Sequence, residues 1–241
     1  MGLLFGGASG EVSGYNSENV KALRGAINDT AQACGETIVS TLETDIITPM
    51  STAWYAEEAQ QYFEGFKAQV KASGETIKEV FEGFRDNIQK TGEEWATATG
   101  AAEPPTLDAL DDVELDLNID AILAVNEAGD RSLDEAAVEQ VVNNLSSTEA
   151  TIKDSLTGLA ENLDASTAFL GHGQGDAVQA CFVKVTEAVH KIFEFILTGG
   201  EGGADDSLSG ALTKFKEKYS ESATNVATSY TNAEVDISAG N

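Results

Sequence analysis

Cysteine and cationic side chains are scarce in this sequence, and each shortage excludes a class of protein. Cys34 and Cys181 are the only cysteines in 241 residues, which excludes a disulfide scaffold, and no CxxC motif suggests zinc or redox chemistry. Whether the two thiols are bonded stays open, and we expect two buried free thiols. The chain has 14 basic and 41 acidic residues, which give a formal net charge of −27. Such a field repels nucleic acid and anionic lipid and favours a hydrated surface with a basic partner.

Long apolar runs are also missing, and the first residues do not predict a Sec-type leader. No apolar run reaches the roughly 18–20 residues that a membrane span requires, so we expect no membrane span. The opening MGLLFGGASGEVSG has no basic n-region and only a short apolar patch, unlike a signal peptide. We therefore expect that any export from the cytoplasm proceeds without a Sec signal.

The side chains that usually carry catalysis are few. The chain has two histidines, His172 and His190, and three arginines. The loop GHGQGD around His172 lacks the Lys-Ser/Thr of a phosphate-binding loop and offers at most His172 and Asp176 to a metal. His190 fits a helix-surface or core-edge position better than a ligand position. We predict no catalytic, cofactor-binding or metal-binding residues, no cofactor, and no enzymatic activity.

What the sequence does contain is helical periodicity. Apolar residues step by three or four from Ser17 to Leu42, after which Pro49 is expected to end the helix. A second amphipathic stretch follows and fades near Trp95, so the two predict a helical hairpin. Residues 98–120 carry Pro104-Pro105 and an acidic run, which predict a linker. Its alternating part, VELDLNI, is typical of a strand or of an extended arm on a helical surface, and we favour the arm.

The first pattern returns in the second half. STAWYA begins at Ser51 and STAFLG at Ser166, 115 residues apart, and each lies between two amphipathic stretches. The same offset pairs Ser17 with Ser132, which indicates an internal duplication of the hairpin. A glycine-rich break, TGGEGGADD, precedes a last helix that starts at Asp206 or Ser207. Its apolar and aromatic positions form a coiled-coil-like seam, which runs through Leu208, Leu212, Phe215, Tyr219, Ser222, Val226 and Tyr230.

The repeated corner resembles the WXG-motif family of type VII secretion substrates, which are helical hairpins with a Trp-x-Gly turn. Trp54-Tyr55-Ala56 keeps the Trp and replaces Gly, whereas Phe169-Leu170-Gly171 keeps the Gly and replaces Trp. Trp54, Ala56, Phe169 and Gly171 are therefore the predicted turn motif, in which the rings anchor the corners. The resemblance implies a tandem, fused member of the family.

The family also carries a Tyr-x-x-x-Asp/Glu export signal, which Tyr230 and Glu234 match. The resemblance implies that a secretion ATPase, or another helical protein, reads these two residues. It further implies a non-enzymatic substrate or secretion-associated helper that is cytoplasmic before export and extracellular or on the cell surface afterwards. The alternative is a structural or scaffold protein of a helical assembly such as a filament, virion or surface layer, in which the chain forms a homo-oligomer.

These patterns together predict an all-α protein. Two long helical hairpins would pack as an elongated four-helix bundle, with an extra C-terminal helix after the glycine-rich break. Along the chain we predict a flexible N-terminus (1–14), a first hairpin (15–100), an acidic, proline-containing linker (101–130), and a second hairpin with the C-terminal helix and tail (131–241). Whether the hairpins pair within one chain or between chains stays open.

Overall fold

The computed structural model describes residues 13–106, 108–123, 131–165, 167–171, 173–200, 203 and 205–239, with side chains in the last helix as far as Thr228. Most of these residues are helical, which confirms the prediction of an all-α protein. The helices are α1 (Ser17–Leu42), α2 (Thr48–Ala53), α3 (Glu57–Thr99), α4 (Asp120–Leu123), α5 (Glu135–Glu161), α6 (Gln174–Thr198) and α7 (Leu208–Ala239). The strands have two residues each and are β1 (Gly14–Tyr15), β2 (Trp54–Tyr55), β3 (Ser132–Leu133) and β4 (Phe169–Leu170). The predicted flexible N-terminus lies almost entirely outside the described residues. None of the described helices combines the length and apolar character that crossing a membrane requires.

Contacts divide the chain into two compact units, each built from three separate segments. The first unit comprises the described residues of Met1–Cys34, Glu75–Val113 and Ser155–Val189. The second comprises those of Gly35–Gly74, Glu114–Asp154 and His190–Asn241. Each unit therefore contains helical segments from both predicted hairpins.

Pro49 does not end the helical segment that begins at Ser17, contrary to the expectation from sequence. A π-helical turn, Glu43–Ile47, separates α1 from α2, and the N–H of Thr48 donates to the carbonyl of Glu43, five residues back. A proline has no N–H and its ring crowds the carbonyl four residues earlier, here that of Asp45. Because that carbonyl lies in the wider π turn, the ring is accommodated and the helix continues to Ala53.

The predicted apolar stripes supply most of the core. Every predicted stripe residue of α1 is buried, as are the phenylalanines of α3. Cys34 belongs to this set, and burial raises the pKa of its thiol to about 12. Cys181 is also free but exposed, so the prediction of two buried thiols holds for Cys34 and is wrong for Cys181. The buried face of α6 runs through Phe182, Val185, Val189 and Phe193, and position 181 lies one residue off this face.

The alternating part of the acidic linker is an extended arm, as predicted, and the short helix α4 follows it within the linker. Residues 108–119 form neither helix nor strand, and Val113, Leu115, Leu117 and Ile119 are buried while the residues between them are exposed. An extended backbone turns successive side chains to opposite sides, so alternation lets one side of the arm pack and the other meet water.

Ion pairs fasten the exposed side of the arm within each unit. In the first unit the ammonium of Lys78 lies 2.6 Å from the carboxylate of Asp112. In the second, Lys67 lies 2.9 Å from Asp116. Each lysine donates a hydrogen bond that lowers the pKa of its aspartate below the ordinary value. The stabilisation of the folded state by these two ion pairs is present at pH values above the ordinary aspartate pKa. It is lost as the pH falls through the lowered aspartate pKa. It is small because the pairs are exposed.

Candidate functional site

The first corner, in the second compact unit, is a buried aromatic turn held by a short strand pair. Trp54 and Tyr55 form β2, which pairs antiparallel with β3 so that Trp54 lies opposite Leu133. The N–H of Asp134 donates to the carbonyl of Ala53 at 2.7 Å. The indole of Trp54 is 2 % exposed, so it anchors the corner and is not available to a partner.

Aromatic side chains from α3 and α7 enclose this indole. The ring of Phe215 lies 4.5 Å from that of Trp54, and the rings of Tyr62 and Phe63 lie at 6.2 and 6.4 Å. The indole N–H donates a long hydrogen bond of 3.5 Å to the hydroxyl of Tyr219. The start of the C-terminal helix is therefore part of the packing of the first corner.

The second corner, in the first compact unit, repeats this construction. Phe169 and Leu170 form β4, which pairs antiparallel with β1 so that Phe169 lies opposite Tyr15. The N–H of Asn16 donates to the carbonyl of Ala168 at 3.1 Å. The ring of Phe169 is 1 % exposed and lies 6.2 Å from that of Tyr15.

Each corner thus pairs with the segment that precedes the first helix of the other half. Asn16 and Asp134 cap those helices, since their side-chain oxygens accept hydrogen bonds from the N–H groups of Asn19 and Ala137 at 2.9 and 3.0 Å. The two caps are 118 residues apart, whereas Trp54 and Phe169 are 115 apart. The pairing of Ser17 with Ser132 at a constant offset is therefore wrong, because Ser132 lies in β3 before the cap.

The small residue after each aromatic plays a different part in the two corners. Ala56 is buried, and its carbonyl accepts hydrogen bonds from the N–H groups of Ala59 and Gln60 at the start of α3. Gly171 has a φ of 81°, which an L side chain rarely adopts. The second corner therefore requires the glycine that the motif retains there.

Replacing Gly171 with alanine should lower the free energy of unfolding by about 1–2 kcal/mol, because alanine is strained at this backbone conformation. Gly158→Ala is a matched control in the same unit. Gly158 lies within α5, and the position that its Cβ would occupy is open space, so alanine there should raise stability by about 0.5–1 kcal/mol. Urea unfolding followed by circular dichroism measures both, and equal effects of the two substitutions would contradict the strained-turn interpretation.

The last helix leaves the core part-way along its length. Ser207 caps it, as predicted, by accepting a hydrogen bond from the N–H of Gly210 at 3.2 Å. Leu208 and Leu212 are buried and Tyr219 is half-buried, but every residue from Glu221 to Thr228 is exposed. The predicted seam therefore packs only as far as Tyr219, and at its later positions Ser222 and Val226 are exposed, Val226 by 56 %.

The predicted export signal lies at the far end of this helix. The backbone of α7 is helical through Ala239, which includes positions 230 and 234. The side chains of Tyr230 and Glu234 lie outside the described residues, so the pair stays a prediction.

One cluster of titratable groups was not anticipated from the sequence. The side chains of Glu149, His190 and Glu194 bring three ligand atoms within 4.8 Å of one another. His190 and Glu194 are one helical turn apart, a spacing that is visible in the sequence. Glu149 is 41 residues away, and only the packing of α5 against α6 brings it close. His172, the other histidine of the chain, lies outside the described residues.

No protein-family model matches this chain, and neither a curated protein nor a solved structure shows significant similarity to it. Its function is therefore inferred from the two corners, the last helix and the chemistry of the side chains.

Proposed function

We propose that this chain is a non-enzymatic protein exported by a type VII, WXG-type secretion system, as a substrate or a secretion-associated helper. Its two halves would be fused hairpins of the WXG-motif kind that pack as a four-helix bundle. The support for the family resemblance is the repeated corner, where a buried aromatic stands between two helices in each half. Packing alone also requires such a corner, so the corner supports the hairpins more than it supports export.

The observation that carries the export proposal is the exposed stretch of α7. A secretion ATPase that reads a helical signal needs a helix whose sides are not covered by the rest of the chain. From Glu221 to Thr228 every side chain is exposed, and the helix continues through Ala239. The predicted signal at Tyr230 and Glu234 begins two residues after this exposed stretch.

The spacing of the signal suits recognition on a helix. Residues four apart on a helix are neighbours on one side, so a receptor can contact an aromatic ring and a carboxylate together. The strong negative charge of the chain, −27, also favours a receptor surface with basic side chains. Neither feature requires catalytic chemistry in this chain.

Deleting residues 230–241 should abolish export in a host that carries a type VII system, while the protein still accumulates in the cytoplasm. The deletion begins eleven residues beyond Tyr219, the last half-buried aromatic of the predicted seam. The truncated protein should therefore unfold at the same temperature as the intact one. Immunoblots of cell and culture fractions measure export, and continued export of the truncated protein would overturn the proposal.

A further inference from the structure

A histidine and two glutamates meet on facing helices of the second compact unit. Nε2 of His190 and Oε1 of Glu149, which belongs to α5, are joined by a hydrogen bond of 3.1 Å. Glu194 lies one turn beyond His190 on α6, and all three ligand atoms fall within 4.8 Å of one another. Two helices therefore hold one nitrogen and two oxygen donors around a common point.

The burial and charge of this cluster favour a cation. His190 is 8 % exposed, the side chain of Glu149 is 21 % exposed and Glu194 is partly buried, so water reaches the cluster only in part. Among the described residues, no lysine or arginine forms an ion pair with Glu194. A bound divalent cation would neutralise two carboxylates that sit close together in a strongly acidic protein.

The donor set selects among divalent cations. Zinc is commonly bound by histidine nitrogen together with carboxylate oxygen, and three protein ligands leave a fourth position for water. Calcium and magnesium prefer oxygen ligands alone, so the imidazole disfavours both. Two ligands of a tetrahedral zinc ion lie about 3.4 Å apart. The separation of Nε2 and Oε1 is close to this value, so a metal ion would take the place of the proton that these two atoms share. The flexible glutamate side chains can supply the remaining adjustment.

We infer that Glu149, His190 and Glu194 bind one divalent transition-metal ion of the zinc type. The ion joins α5 to α6 and leaves one coordination position open. Because the folded chain assembles the three ligands from two helices, bound metal stabilises the folded state over the unfolded one. This site is independent of the export signal, so either proposal can fail without the other.

Titrating the full-length, chelator-treated protein with Zn²⁺ by calorimetry tests this inference. An excess of Mg²⁺ in the buffer occupies the weak sites that any acidic surface offers. We expect one Zn²⁺ per chain and a rise in melting temperature on binding. Loss of a supporting residue around a metal weakens binding about 10–100-fold, so loss of a ligand in Glu194→Gln or His190→Gln should weaken it at least about tenfold.

Asp154→Asn is the matched control, since it makes the same acid-to-amide change at an exposed position of α5. This variant should keep the affinity of the unchanged protein. Glu194 is only partly buried, so Glu194→Gln should fold normally, which circular dichroism checks. The absence of saturable Zn²⁺ binding above the Mg²⁺ background, or equal affinity in Glu194→Gln and the unchanged protein, would overturn the inference.

Discussion

Replacing Trp54 with alanine is expected to lower the free energy of unfolding by about 3–5 kcal/mol. The indole is 2 % exposed and packs against the rings of Tyr62, Phe63 and Phe215. Alanine would remove this buried apolar surface and leave a cavity among side chains that come from two helices. It would also leave the hydroxyl of Tyr219 without its indole partner.

Chemical unfolding followed by circular dichroism measures this effect, and Trp54→Phe is its control. Phenylalanine keeps an aromatic ring in the corner, and the second corner already uses one at Phe169, so the loss should be clearly smaller than with alanine. Leu170→Ala is a second control at an exposed residue of the other corner. Because Leu170 is 45 % exposed, its replacement should change the free energy of unfolding only slightly. A loss below about 1 kcal/mol for Trp54→Ala would mean that the indole does not anchor the first corner.

Local sequence patterns predict the helices well because helical periodicity depends on residues only three or four positions apart. The stripe of α1, the cap at Ser207 and the alternation of the arm from Val113 to Ile119 all appear in the structure as predicted. Each depends on residues within a few positions of one another. The prediction that Pro49 ends the helix is wrong because a π turn precedes the proline. In that wider turn the proline ring no longer crowds the backbone enough to stop the helix.

Pairings between distant segments were beyond the reach of those patterns. The strand pairs join Trp54 to Leu133 and Tyr15 to Phe169, and two-residue strands have no periodicity to detect. The cluster of Glu149, His190 and Glu194 could not be predicted for the same reason, because Glu149 reaches His190 only when α5 and α6 pack. The prediction that the whole seam of α7 packs is wrong for a different reason. Spacing shows which residues could pack, but the packed length depends on whether a neighbour is present.

Replacing Tyr230 with alanine should reduce export severely. The proposed receptor would lose an aromatic anchor, and removing such a residue from an interface costs about 2 kcal/mol or more. That corresponds to recognition weakened by about 30-fold. Glu234→Gln should reduce export as well, because it removes the charge while keeping the shape of the side chain.

The most direct test of the account is the exported fraction of these point variants beside Glu221→Gln. Glu221 is exposed on the same helix and lies outside the Tyr-x-x-x-Glu motif, so its replacement removes the same charge without changing the proposed signal. The measurement compares secreted and cellular protein for each variant in a host with a type VII system. If Tyr230 and Glu234 form the export signal, Tyr230→Ala and Glu234→Gln remain in the cell while Glu221→Gln is exported normally. Normal export of Tyr230→Ala would contradict this account.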